Sequence, residues 1–140
     1  MKNTFKLLLL AVVAGASGCA SNKNESTPVP VPSGTFAGKF TSLHKKKSGA
    51  IDTLRANILL TTTTAGLFKV TGDTATVHAG SHGAFQLNAI YIQFQDSTAT
   101  SNNPAKIHLN GLYQYYYNGT VFQIAAGNDT LAYQYDLKRN

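Results

Sequence analysis

The chain has 140 residues, 43% of them apolar and only 13% charged, with one Cys, no Trp and a formal net charge of +6. The apolar share suffices for a core and argues against a disordered chain, while scarce charge and abundant Thr, Gly, Asn and Tyr argue against a helical bundle. A single Cys excludes an internal disulfide and any zinc site built from several Cys.

Met1–Lys6 carries two Lys and no acid, and residues 7–14 are a continuous apolar run, LLLLAVVA. Gly15, Ala16, Ser17 and Gly18 follow, so residues 1–18 read as a secretory leader. The apolar run is far shorter than the ~20 residues that span a bilayer as a helix. Removing the leader leaves 122 residues and a net charge of +4, because Lys2 and Lys6 go with it. Residues 19–33 form a polar tether. Its run Pro28-Val29-Pro30-Val31-Pro32 favours an extended polyproline II spacer. One folded domain is expected after it, Gly34 to Asn140, 107 residues.

The ending Ala16-Ser17-Gly18-Cys19 resembles the lipobox of bacterial lipoproteins, with Ala16 where Leu is usual. The resemblance implies that Cys19 receives a diacylglyceryl group on its sulfur and, after cleavage, becomes the first residue. Its partner would be a membrane, held through palmitate-type acyl chains, each buried CH₂ contributing about 0.8 kcal/mol. The competing reading is an ordinary signal peptide with an incidental Cys. Ala20, not Asp, follows the Cys, which by the same resemblance implies the outer membrane, on either its periplasmic or its surface face.

In the domain, alternation and turn signals recur and no helical period extends for three turns. Gly34–Ser42 puts Phe36, Gly38 and Phe40 on one face; Ile51–Thr63 puts Leu54, Ala56, Ile58 and Leu60 together. Gly66–Gly72 pairs Phe68 with Val70, Thr74–Ala79 reads as a short strand around Val77, and Phe85–Gln95 reads as one strand with Ile90, Ile92 and Phe94. After the polar loop Asp96–Ala105, Lys106–Tyr117 alternates Ile107, Leu109, Gly111, Tyr113, Tyr115 and Tyr117. Asn118-Gly119 signals a type I′ hairpin, Thr120–Ala126 returns, Gly127-Asn128-Asp129 turns, and Thr130–Leu137 carries Leu131, Tyr133, Tyr135 and Leu137. The expected fold is all-β: a small antiparallel up-and-down meander barrel of about eight strands, which hides its edges by closing. A two-sheet β-sandwich is the alternative.

Gly34-Thr35-Phe36-Ala37-Gly38-Lys39-Phe40 resembles the opening strand of lipocalin-like and avidin-like barrels, with Phe36 where those families carry Trp. The resemblance implies that a basic residue near the last strand, Lys138 or Arg139, packs across Phe36. In layout the chain is similar to small lipoproteins of Bacteroidota-type bacteria.

The acids form no pair placed for hydrolytic acid–base work. Four Asp residues begin Asp52-Thr53-Leu54, Asp73-Thr74-Ala75, Asp96-Ser97-Thr98 and Asp129-Thr130-Leu131. These read as turn caps, and they resemble the acceptor motif of Bacteroidota O-glycosylation. His78 and His82 are read as solvent-facing turn residues, Lys45-Lys46-Lys47 as a solvated loop tip, and Ser81-His82 as no dyad by adjacency alone. No enzyme activity, cofactor, metal or nucleic-acid partner is expected. The Tyr set is the most suggestive feature, since Tyr offers an apolar body and a polar tip. The ligand-lining candidates are Phe36, Phe40, Tyr113, Tyr115, Tyr117, Tyr133 and Tyr135. The expected function is a lipid-anchored cell-envelope barrel binding a small apolar or glycan-like ligand. The alternative is an envelope structural or protein-interaction domain whose barrel is filled by its own side chains.

Overall fold

The computed structural model describes residues 28–99 and 106–140; the leader, Cys19 and the tether up to residue 27 lie outside the described residues. Eight strands follow in order: β1 Gly34–Lys45, β2 Ile51–Thr62, β3 Leu67–Gly72, β4 Ser81–Leu87, β5 Tyr91–Asp96, β6 Gly111–Tyr117, β7 Val121–Gly127 and β8 Leu131–Arg139. Each pairs antiparallel with its sequence neighbours, and β8 returns to β1 from Phe36↔Arg139 to His44↔Leu131. The molecule is therefore the closed up-and-down barrel, not the two-sheet sandwich. Closure pairs the two edges that an open eight-strand sheet would leave free.

Period-two alternation puts one face of every strand inside. Phe36 and Phe40 on β1, Ile58 and Leu60 on β2, and Phe68 and Val70 on β3 are all buried. β4 and β5 add Phe85, Ile92 and Phe94, and the last three strands add Tyr113, Phe122, Ile124, Tyr135 and Leu137. Gly38 sits in the β1–β8 seam between Ile58 and Leu137, where a Cβ would stand 2.0 Å from the Asp136 carbonyl oxygen. Only glycine lets the two strands approach this closely.

Several sequence expectations change. Thr74–Ala79 is no strand: it is a turn whose one bridge, His78 with Ile107, is parallel. Phe85–Gln95 is two strands, because the Asn88 side-chain oxygen accepts the backbone N–H groups of Ile90 and Tyr91 and folds a turn there. Ile90 consequently lies in that turn, exposed. β6 begins only at Gly111, so Ile107 and Leu109 precede it. Leu54 is in phase with Ala56 but half exposed, because the β1–β2 ribbon runs past the filled interior at that end. Asn118-Gly119 is not a type I′ turn: no non-glycine residue among the described residues has positive φ, and Gly119 (φ 94°) takes the first position of the loop Gly119-Thr120. Positive φ at that position alone is the II′ pattern.

The chain enters at what we call the lower end, with the turns at 63–66, 88–90 and 118–120. There Pro32 is buried, and its carbonyl accepts the Thr62 hydroxyl at 2.9 Å. Arg139 crosses the same end with its guanidinium 5.1 Å from the Phe36 ring centre, and it donates to Gly119 O and Tyr117 Oη. The basic residue expected over Phe36 is thus Arg139. At the upper end, residues 74–79 and 106–109 run together: Ala79 N donates to Ile107 O, and Ile107 N to Val77 O. Leu109 and His78 in these segments are fully buried.

Candidate functional site

The seven aromatic candidates all face inward, but in two different settings. Near the lower end Phe36, Tyr117, Phe122 and Tyr115 form one edge-to-face cluster, with Phe36–Phe122 ring centres 5.2 Å apart. Higher up, Phe40 packs on Tyr135 at 4.9 Å and on Tyr133 at 6.0 Å, and Tyr135 leads through Tyr113 to Phe94. Phe36, Phe40, Tyr113 and Tyr135 are buried and act as core. Tyr115, Tyr117 and Tyr133 are half-buried. An eight-stranded barrel has an interior that side chains of this size fill.

One groove opens in the wall. The β6–β7 ladder runs from Tyr117↔Phe122 to Gln114↔Ala125 and stops. Above it, Leu112 and Tyr113 pair only toward β5, and Ala126 and Gly127 only toward β8. The two strands diverge, and a groove of about 450 Å³ opens between them. Tyr91, Leu112, Tyr113 and Tyr133 supply its rings and apolar surface, and Gln114 and Gln134 supply amides. Ala125, Ala126, Gly127 and Ala132 keep the far wall low, since none projects beyond a methyl group. Two of the seven candidates, Tyr113 and Tyr133, therefore reach a groove here. Tyr115 and Tyr117 border a second groove, of about 300 Å³, with Pro28 and Pro30 along it. Phe36, Phe40 and Tyr135 line neither.

A buried polar chain lies behind the wall groove, and sequence reading missed it. His78 is fully buried, not solvent-facing, with its ring 4.8 Å from Phe40. Its Nδ1 is 2.6 Å from Ala79 O; a carbonyl only accepts, so Nδ1 donates and Nε2 accepts from the Tyr135 hydroxyl at 2.9 Å. Burial pushes the His78 pKa below its ordinary value, against the opposing pull of the Ala79 carbonyl. Tyr135 in turn packs edge-to-face on Tyr113 with ring centres 6.0 Å apart, and the Tyr113 hydroxyl donates to Asn110 O at 3.2 Å. Burial raises both Tyr pKa values, that of Tyr135 well above the usual range. The signal for His78 was present but weak: it is flanked by Val77 and Ala79.

A second pair joins residues on either side of the long polar loop. Asp96 accepts His108 Nδ1 at 2.6 Å, the Thr98 hydroxyl at 2.6 Å and the Thr98 amide at 2.8 Å. Desolvation would raise the carboxyl, but the Thr98 bonds and His108 outweigh it and hold its pKa low. No group of three potential metal ligands occurs among the described residues. Ser81 is buried and His82 exposed, so they stand on opposite faces of β4. Asp52, Asp73, Asp96 and Asp129, with their Thr or Ser neighbours, all lie at the upper end, opposite the tether. Lys46 of the Lys triplet forms an exposed ion pair with Asp52 at 2.9 Å. Comparison with protein families, curated proteins and solved structures finds no match for this chain.

Proposed function

We propose that this chain is a lipid-anchored barrel of the bacterial cell envelope, lipocalin-like in layout, that binds a small glycan-like ligand in the groove of its wall. The observation that carries the binding reading is the early end of the β6–β7 ladder. It leaves Leu112–Tyr113 and Ala126–Gly127 unpaired with one another across the β6–β7 gap, beside Tyr rings and two Gln amides. Sugar rings have apolar faces and polar rims. Tyr offers them a flat apolar body, and amides and free backbone groups offer hydrogen bonds. The packed interior favours this external groove over the barrel axis. The anchor reading is supported by Cys19, the chain's only Cys, standing directly after the apolar run and the small residues.

Two experiments test it. Cys19→Ala should release the protein from membranes and abolish incorporation of labelled palmitate; continued membrane fractionation would defeat the anchor. On an array of immobilised glycans, the soluble Cys19→Ala protein should bind a subset of structures. Tyr91→Ala and Leu112→Ala, both at exposed groove positions, should weaken that binding at least tenfold, equivalent to about 1.4 kcal/mol. Binding unchanged in both variants would remove the groove. The filled interior also favours a second reading, a protein-interaction domain; a protein captured with undiminished strength by both groove variants, together with no glycan bound, would support it.

A further inference from the structure

The two ends of the barrel differ in charge, and the difference follows the path of the chain. The upper loops hold Asp52, Asp73, Asp96 and Asp129 together with Lys45-Lys46-Lys47. The lower segments 28–33, 63–66, 88–90 and 118–120 contain no charged side chain, and the charges beside them are those of β8: Lys138, and Arg139 with its guanidinium folded over Phe36. Large apolar residues stand out from that end instead: Ile90 is 58% exposed and Tyr116 54%, with Leu67 and Val31 farther around the rim. Ile51, Leu54 and Leu112 are also exposed toward the upper end, but there they share the surface with the Asp52, Asp73 and Asp129 carboxylates and the Lys45-Lys46-Lys47 ammonium groups.

Ile90 lies within one residue of Tyr116 across the β5–β6 pairing, since Tyr115 N donates to Ile90 O at 3.2 Å. The incoming chain meets the barrel at this spot: Pro28, Val29 and Pro30 share a groove with Ala89 and Tyr116. Pro28 is only nine positions from Cys19, a reach of about 30 Å at full extension. A lipid on Cys19 therefore keeps the Ile90–Tyr116 patch close to the bilayer.

We propose that the lower end of the barrel seats on the membrane surface, with Ile90 and Tyr116 at the boundary between headgroups and acyl chains. This rests on the lipid-anchor reading above. Uncharged loops escape the cost of bringing ions into that boundary. Tyr suits it, because its ring is apolar and its hydroxyl stays hydrated. Lys138, exposed one rung from the 118–120 turn, meets anionic headgroups at the edge. Seated this way, the barrel presents its four Asp turns away from the membrane and leaves the wall groove open on its flank.

The absence of Trp from the chain makes the test clean. Single probes Ile90→Trp, Tyr116→Trp and, at the upper end, Leu54→Trp are placed in the full lipidated protein. Each is reconstituted in vesicles of phosphatidylethanolamine and phosphatidylglycerol with brominated acyl chains. Emission from both lower probes should shift to shorter wavelength and be quenched, and emission from Leu54→Trp should stay that of a hydrated indole. Hydrated, unquenched emission at both lower probes, with labelled palmitate present on Cys19, overturns the seating and leaves the patch to a protein partner or a second copy. Absence of the label from Cys19 overturns the anchor and the seating with it.

Discussion

His78 sits in a box of Phe40 and Tyr135 rings with both ring nitrogens bonded. Tyr135→Phe keeps the ring but removes the hydroxyl that donates to Nε2, leaving a buried acceptor alone. Urea unfolding should show a loss of about 1–3 kcal/mol. The same histidine makes stability depend on pH. Its folded-state pKa lies below the ordinary 6.5, so the unfolded chain binds the proton more readily. Stability is complete above that value. It falls as pH drops from there toward the folded-state pKa, by up to about 1.4 kcal/mol per pH unit. Asp96, held below its ordinary 3.8, adds a separate loss that begins only when pH falls through that lower range. Urea midpoints measured from pH 8 to 3 should show both steps, and His78→Phe should erase the first and retain the second. A wild-type midpoint that is flat between pH 7 and 5 would contradict the buried neutral ring.

Three of the hairpins share one local device. Asn88, Asn118 and Asn128 each precede a two-residue loop, and each side-chain oxygen accepts the backbone N–H groups two and three residues on. Each Asn N–H also donates to the carbonyl of the residue that closes the turn. An Asn oxygen thus satisfies donors that a tight turn would otherwise leave to water. Asn88→Ala, Asn118→Ala and Asn128→Ala should each lower stability by about 1 kcal/mol. The corresponding Asn→Asp changes should lose less, since the acceptor remains. Thermal melts of the six variants decide it, and equal losses for Ala and Asp would mean the side-chain bonds contribute little. Asn88 also divides the segment Phe85–Gln95, which the sequence presents as one strand. Phe85 faces in at an odd position and Ile92 and Phe94 at even ones, so the turn appears in the sequence only as a one-residue shift in an alternation that otherwise continues.

At the scale of the whole molecule, stability depends on the β1–β8 seam, which joins residues about a hundred positions apart. Gly38 marks its closest approach. Gly38→Ala places a methyl against the Asp136 carbonyl and forces the seam apart, at a cost of about 1–3 kcal/mol. Hydrogen exchange at Phe36–Phe40 amides should quicken more than at the β4–β5 hairpin; equal effects would mean that the seam adjusts without opening. Phe36 and Arg139 lock the same seam from below, by the stacking expected from the first and last strands.

Strand character and the inward Phe and Tyr of β1, β6 and β8 were legible because a two-residue side-chain period is a local property of the chain. The count came out right through two compensating differences: Thr74–Ala79 is not a strand, and Phe85–Gln95 is two segments of strand around a turn. Four of the seven aromatic candidates could be seen from sequence to face inward but not to be packed shut. That depends on which rings arrive from other strands to fill the space. The wall groove, the His78–Tyr135 bond and the Asp96–His108 pair join residues 12 to 57 positions apart. No local pattern encodes such distances. Closure of the barrel sets them, because pairing β8 with β1 fixes how far each strand is staggered on the next and so which ladder ends early.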